Sequence, residues 1–220
     1  WDISDETEPY GTAYWNEKGR RVAKNLAGAN SRVILDRAIP FMRSAAQKEQ
    51  PFFTIVWFHT PHLPVVAGPE YARMYADEDK YTQHYRGCIT AMDEQVGRLR
   101  TELRAMGIAN NTLVTFCSDN GPEGKAGSAP GSAGHLNGRK RDLLEGGIRV
   151  PGLIEWPGKI LPGNTTMPAV TSDYLPTILD LIGAKPVGDR PLDGISLRPL
   201  FNGAMKNRGQ SIGFQSAGQV

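Results

Sequence analysis

The chain has 220 residues, 40% of them apolar and 22% charged, the proportions of a globular protein long enough to bury a core. Lysines and arginines number 25 against 23 acids, and a net charge of +2 excludes the basic footprint of a nucleic-acid binder. No apolar run approaches the ~20 residues that span a bilayer, and two cysteines, Cys88 and Cys117, are too few for a disulfide framework.

Residues 1–30 are polar and show no period, so they read as a loop-rich lead-in. "SRVILDRAIPFMRSAAQ" has helical apolar spacing, with Ser31 as its cap and Pro40 bending it or starting a new first turn. "FFTIVWF" (52–58) is an apolar, aromatic and β-branched run, the pattern of a strand buried on both faces in a parallel sheet. After it, Cys88, Met92, Val96, Leu99, Leu103 and Met106 make one stripe of an amphipathic helix that Gly107 should stop. "NTLVTFC" (111–117) reads as a second strand, and the order strand, helix, strand predicts a parallel pair. Residues 121–138 are rich in Gly, Ser, Ala and Pro and read as a long loop. "RVPGLIEW" (149–156) is a third strand weakened by Pro151, and "SDYLPTILDLIGA" (172–184) a helix with Ser172 as cap. The order of these elements is that of an α/β chain with a parallel pair of strands.

In open α/β sheets, ligands bind beyond the carboxyl ends of the strands, and three polar sets fall there. Asp119 and Asn120 in "CSDNG" are ordinary turn formers, but a carboxylate with an amide carbonyl also makes a pair of hard oxygen donors. Such donors suit Ca²⁺ or Mg²⁺ rather than zinc, and two of them leave most of a six-to-eight-oxygen shell to come from elsewhere. His62, in the Pro-flanked "HTPHLP", is placed to bind an anion or protonate a leaving group, or merely to satisfy loop carbonyls. His59 reads as structural. Lys140, in "GRKRD", is either part of a solvated basic patch or a point charge for a tetrahedral anion. Glu145 and Arg149 are spaced to pair and brace Gly146–Gly147. Cys117 stands two residues from Asp119 with nothing nearby to lower its pKa, so it reads as a small strand residue rather than a nucleophile.

Taken in order, "PFFTIVWFHTPHLP", "TAMDEQVGRLRTELRAMG", "NTLVTFCSDNGPEG", "GRKRDLLEGGIRVPGLIEWPG" and "TSDYLPTILDLIGAKP" resemble type I sulfatases of the alkaline phosphatase superfamily. "RPLDGISLRPL" is similar to the stretch that closes their large domain. The combination of "SDNGPE" with "EGGIRVP" at this separation is specific to them. The resemblance implies an alkaline phosphatase-like α/β fold, a mixed or mostly parallel sheet between helices, with sulfate-ester hydrolysis and a Ca²⁺ (or Mg²⁺) ligated by Asp119 and Asn120. It further implies that His62 and Lys140 contact the sulfate group or its leaving oxygen, in a sulfated small molecule or glycan. A periplasmic or secreted location goes with it.

One element of the family pattern is missing. Type I sulfatases use a formylglycine made from a Cys/Ser-x-Pro-x-Arg motif, and neither Cys88 nor Cys117 opens one. The resemblance places that motif, and the remaining metal-ligating aspartates, upstream of Trp1. The chain is thus expected to be the second half of a catalytic domain: a lead-in at 1–30, a partial domain at 31–203 and a tail at 204–220. Alone it is expected to be inactive. The alternatives are a phosphoester or phosphonate hydrolase of the same superfamily and a non-catalytic relative that binds sulfated glycans.

Overall fold

The computed structural model describes residues 13–216, which divide into two compact units. The first comprises Trp1–Ala109 with Pro122–Gly134, and the second Asn110–Gly121 with His135–Val220.

Two long helices dominate the first unit. Helix α1 (Asn30–Gln47) buries Val33, Leu35, Ile39, Met42 and Ala45, one stripe at helical spacing. It starts one residue before the expected cap. Ser31 lies buried inside the first turn, Ala29 takes the cap position without a side-chain bond, and the helix runs on through Pro40. Helix α3 (Lys80–Ala105) is capped by Asp79, whose carboxylate accepts from the Thr82 hydroxyl and from the Thr82 and Tyr81 amides, and those bonds, the hydroxyl's first, hold the carboxyl below its usual range. Met106 follows, and Gly107 ends the turn with φ 72°. Its buried face centres on Cys88, Ala91, Gln95 and Leu103, with Met92, Val96 and Leu99 half-buried beside it. Arg98 ties α3 to Asp36 of α1 at 2.7 Å. Between them the short α2 (Pro69–Ala72) lies on α3 at Gly87, where a Cβ would come 2.8 Å from Ala67 Cβ. Cys88 packs in that contact with Ala67 and Ala72 and is core.

The expected strand at 52–58 does not form a ladder among the described residues. The segment takes no regular structure, and every second side chain is exposed: Phe53, Ile55 and Trp57 are 65%, 62% and 80% exposed. A strand is defined by its neighbours, and here the apolar pattern finds none.

In the second unit, β1 (Val114–Cys117) pairs antiparallel with β2 (Gly152–Glu155), Val114 opposite Glu155 and Cys117 opposite Gly152. This corrects the expected parallel partnership of 111–117, and it is the one ladder among the described residues. Pro151, lacking an amide hydrogen, lies just outside β2, as the weakened strand pattern anticipated. Between the strands comes α4 (Glu145–Ile148), and after them α5 (Tyr174–Ile182) and α6 (Arg198–Phe201). Ser172 falls in the 3₁₀ turn Thr171–Asp173 that leads into α5 rather than capping it. No helix among the described residues is long and apolar enough to cross a membrane.

Candidate functional site

Strand β1 ends at Cys117 and delivers "SDNG" into a turn. Ser118 donates its hydroxyl to the Asn120 carbonyl (2.9 Å), and the Asn120 amide nitrogen donates to the Gly121 carbonyl (2.8 Å). That second bond fixes the amide plane and leaves Oδ1 as an acceptor. Asp119 is exposed, and its carboxylate makes no side-chain hydrogen bond or ion pair among the described residues. The turn therefore presents two hard oxygens that its own fold does not consume.

The turn is anchored by backbone. Gly121 donates its amide to the Gly147 carbonyl at 2.8 Å, and Gly146 donates to the Asn137 carbonyl at 2.6 Å. Three segments cross here with no room for side chains. A Cβ on Gly121 would lie 1.9 Å from the Gly146 carbonyl oxygen, and one on Gly146 would lie 2.1 Å from that of Gly138. Hence Gly121 carries no side chain because the Gly146 carbonyl oxygen occupies its place, and Gly146 carries none because the backbone of residues 137–138 does the same. Glu145 and Arg149 pair at 3.0 Å across α4, the bracing role their spacing suggested.

Lys140 stands on the third segment. Residues 139–142 close on themselves: the Asp142 amide donates to the Arg139 carbonyl (2.9 Å), and the Asp142 carboxylate accepts from the Arg139 amide (2.8 Å). Arg141 takes φ 81°, uncommon for a side-chain-bearing residue. Lys140, half-buried, is at the crown of this turn, and the Arg139 carbonyl oxygen lies 2.5 Å from where a Gly147 Cβ would be. The Asp119–Asn120 turn and the Lys140 turn thus meet at the same glycine crossing.

His62 belongs to the first unit. Its amide donates to the His59 carbonyl at 2.7 Å, and Nδ1 lies 2.7 Å from the Leu63 carbonyl oxygen. A carbonyl only accepts, so Nδ1 carries the hydrogen and Nε2 is the nitrogen left to work. The ring is exposed, with cis peptides at Thr60–Pro61 and Leu63–Pro64 on either side. His59 is exposed too, and its contribution is the carbonyl that holds His62.

Cys117 accepts a hydrogen bond from Tyr174 (3.2 Å) at the end of β1. Partial burial and the Cys117 contact push the Tyr174 hydroxyl up to about 12. The thiol is therefore engaged in packing. What sequence reasoning missed is Asp173, fully buried, which accepts from the Val170 and Ile195 amides (2.8 Å each) and from both Arg208 terminal nitrogens (2.7 and 2.8 Å). An acid 35 residues from its partner leaves no local signal. Among the described residues no group of three or more His, Cys, Asp or Glu is placed to hold a metal ion.

The family model described as Sulfatase matches residues 4–184. Human arylsulfatase A is 37% identical over 173 residues, covering 79% of this chain and 33% of that protein. Rat steryl-sulfatase is 36% identical, covering 73% of this chain and 28% of its own length. Among solved structures, Ps i-CgsB in complex with k-i-k-neocarrahexaose superposes with TM-score 0.79 at 29% identity, over 93% of this chain and 46% of that one. The chain belongs to the sulfatase family, whose fold is α/β and alkaline phosphatase-like. It spans about a third of the length of the curated relatives it matches, an incomplete domain.

Proposed function

We propose that this chain supplies part of the active centre of a sulfuric ester hydrolase acting on a sulfated small molecule or saccharide. What supports the reading is the family match together with the glycine crossing, at which the Asp119–Asn120 turn and the Lys140 turn meet.

In this reading Asp119 and Asn120 hold a divalent cation, Ca²⁺ with Mg²⁺ the alternative, whose charge offsets that of the sulfate oxygens. The donor set fits: one carboxylate uncommitted, one amide oxygen oriented by its own N–H bond. Lys140 binds a sulfate oxygen as a point charge. For His62, in the first unit, the resemblance alone suggests the part of general acid to the ester oxygen, with the sulfuryl group passing to a nucleophile outside these residues. Neither cysteine supplies that nucleophile, and the 220-residue chain by itself does not turn over.

Titration of the purified chain with Ca²⁺ and inorganic sulfate tests this. Weak, Ca²⁺-dependent sulfate binding is expected, lost in Asp119→Ala and Lys140→Ala, with no hydrolysis of an aryl sulfate. Sulfate binding indifferent to both substitutions, or robust turnover by the chain alone, would overturn it.

A further inference from the structure

We infer that Gly121, Gly146 and Gly147, with Asp142, are positioning residues that set the placement of the Asp119–Asn120 turn relative to Lys140. The inference rests on the sulfatase reading for what those side chains do, but on backbone geometry for how they are held.

None of the three glycines takes a left-handed backbone, so conformational freedom is not the reason for glycine here. The reason is contact. Beyond the two clashes described above, a Cβ on Gly147 would lie 2.1 Å from the Asp142 carbonyl oxygen. Each clash is with backbone, which a rotamer change cannot relieve, and all three glycines are buried. A methyl group at the crossing must therefore push one turn away from the other. Gly152, in β2 of the same unit, has nothing within 4 Å of the same virtual atom and is the natural control. These close approaches join residues 146–147 to each of the two turns that carry the proposed ligands.

Asp142 acts on one side only. Its carboxylate and amide close the 139–142 turn through Arg139, and it touches Gly147 through its carbonyl. Removing the carboxylate loosens the seat of Lys140 and leaves the Gly121–Gly147 bond in place.

The experiment is hydrogen-exchange mass spectrometry on the 220-residue chain, with Ca²⁺ and inorganic sulfate affinities measured alongside. Gly146→Ala is expected to remove protection both at 118–121 and at 137–142, and Gly152→Ala at neither. Loss confined to 145–148 would overturn the inference. If Gly146→Ala does not fold, Asp142→Ala still decides: protection lost at 137–142 but kept at 118–121, sulfate binding about tenfold weaker, and Ca²⁺ binding unchanged. A merely structural role would weaken both ions alike or neither, and that result refutes the proposal. Should the wild-type chain bind neither ion while exchange follows the expected pattern, the crossing stands and the sulfatase assignment of Asp119, Asn120 and Lys140 falls.

Discussion

Two acidic turns of the second unit are built in opposite ways. Asp173 opens α5 with its side chain wholly buried and both oxygens saturated by two backbone amides and a two-pronged arginine. Asp119 follows β1 with its carboxylate exposed and unclaimed among the described residues. A carboxylate whose every lone-pair direction meets an internal donor is part of the framework, because withdrawing any donor leaves charge stranded away from water. One that a rigid turn holds out unpaired contributes little to folding and is available to a ligand.

The largest effect that could break this contrast comes from Arg208. Arg208→Met should destabilise the fold by about 3–5 kcal/mol, because it strips the partner from a buried charge. An unfolding free energy from urea titration within about 0.5 kcal/mol of wild type would show that the lock is decorative.

Acid tests the same group. Burial alone would raise the Asp173 pKa, but the Arg208 bonds and the Ile195 and Val170 amides outweigh it and hold the carboxyl below its usual range. A depressed folded-state pKa contributes stability that is present above the unfolded value, ~3.9, and lost as pH falls through the folded one. Unfolding free energy should thus drop below about pH 4, and the drop should be shallower in Asp173→Asn. Identical acid profiles in the two proteins would contradict the assignment.

Tyr174→Phe removes the hydroxyl that meets Cys117, and a loss of about 1 kcal/mol is expected. In the wild-type protein, ultraviolet titration should show one tyrosine ionising at about 12 and the variant should lack it. The smallest effect belongs to Asp119. Asp119→Ala should shift stability by no more than about 0.5 kcal/mol while abolishing the Ca²⁺ response; a large loss of stability would place Asp119 with Asp173 as framework.

The site was legible to different depths. The turn at Asp119 and Asn120 was visible because strand-end position and residue type are local facts. The pairing of Glu145 with Arg149 was visible because four residues bring side chains onto one helical face. Asp173 was invisible as a lock, since its partners sit at positions 170, 195 and 208 and nothing in a local window joins them. "FFTIVWF" at 52–58 has the content of an interior strand, yet pairing is a property of two segments, and among the described residues it has no second one.

By itself the amino-acid order determined the helices, the turn chemistry and the roster of reactive side chains, for these depend on spacing within a few residues. Tertiary structure alone decided that three glycines are needed for contact rather than for bending, that β1 pairs antiparallel with β2, and that one aspartate is sealed while another is offered. Those outcomes arise from backbone atoms meeting across dozens of residues, where close packing and hydrogen-bond saturation rule and local propensity has no say.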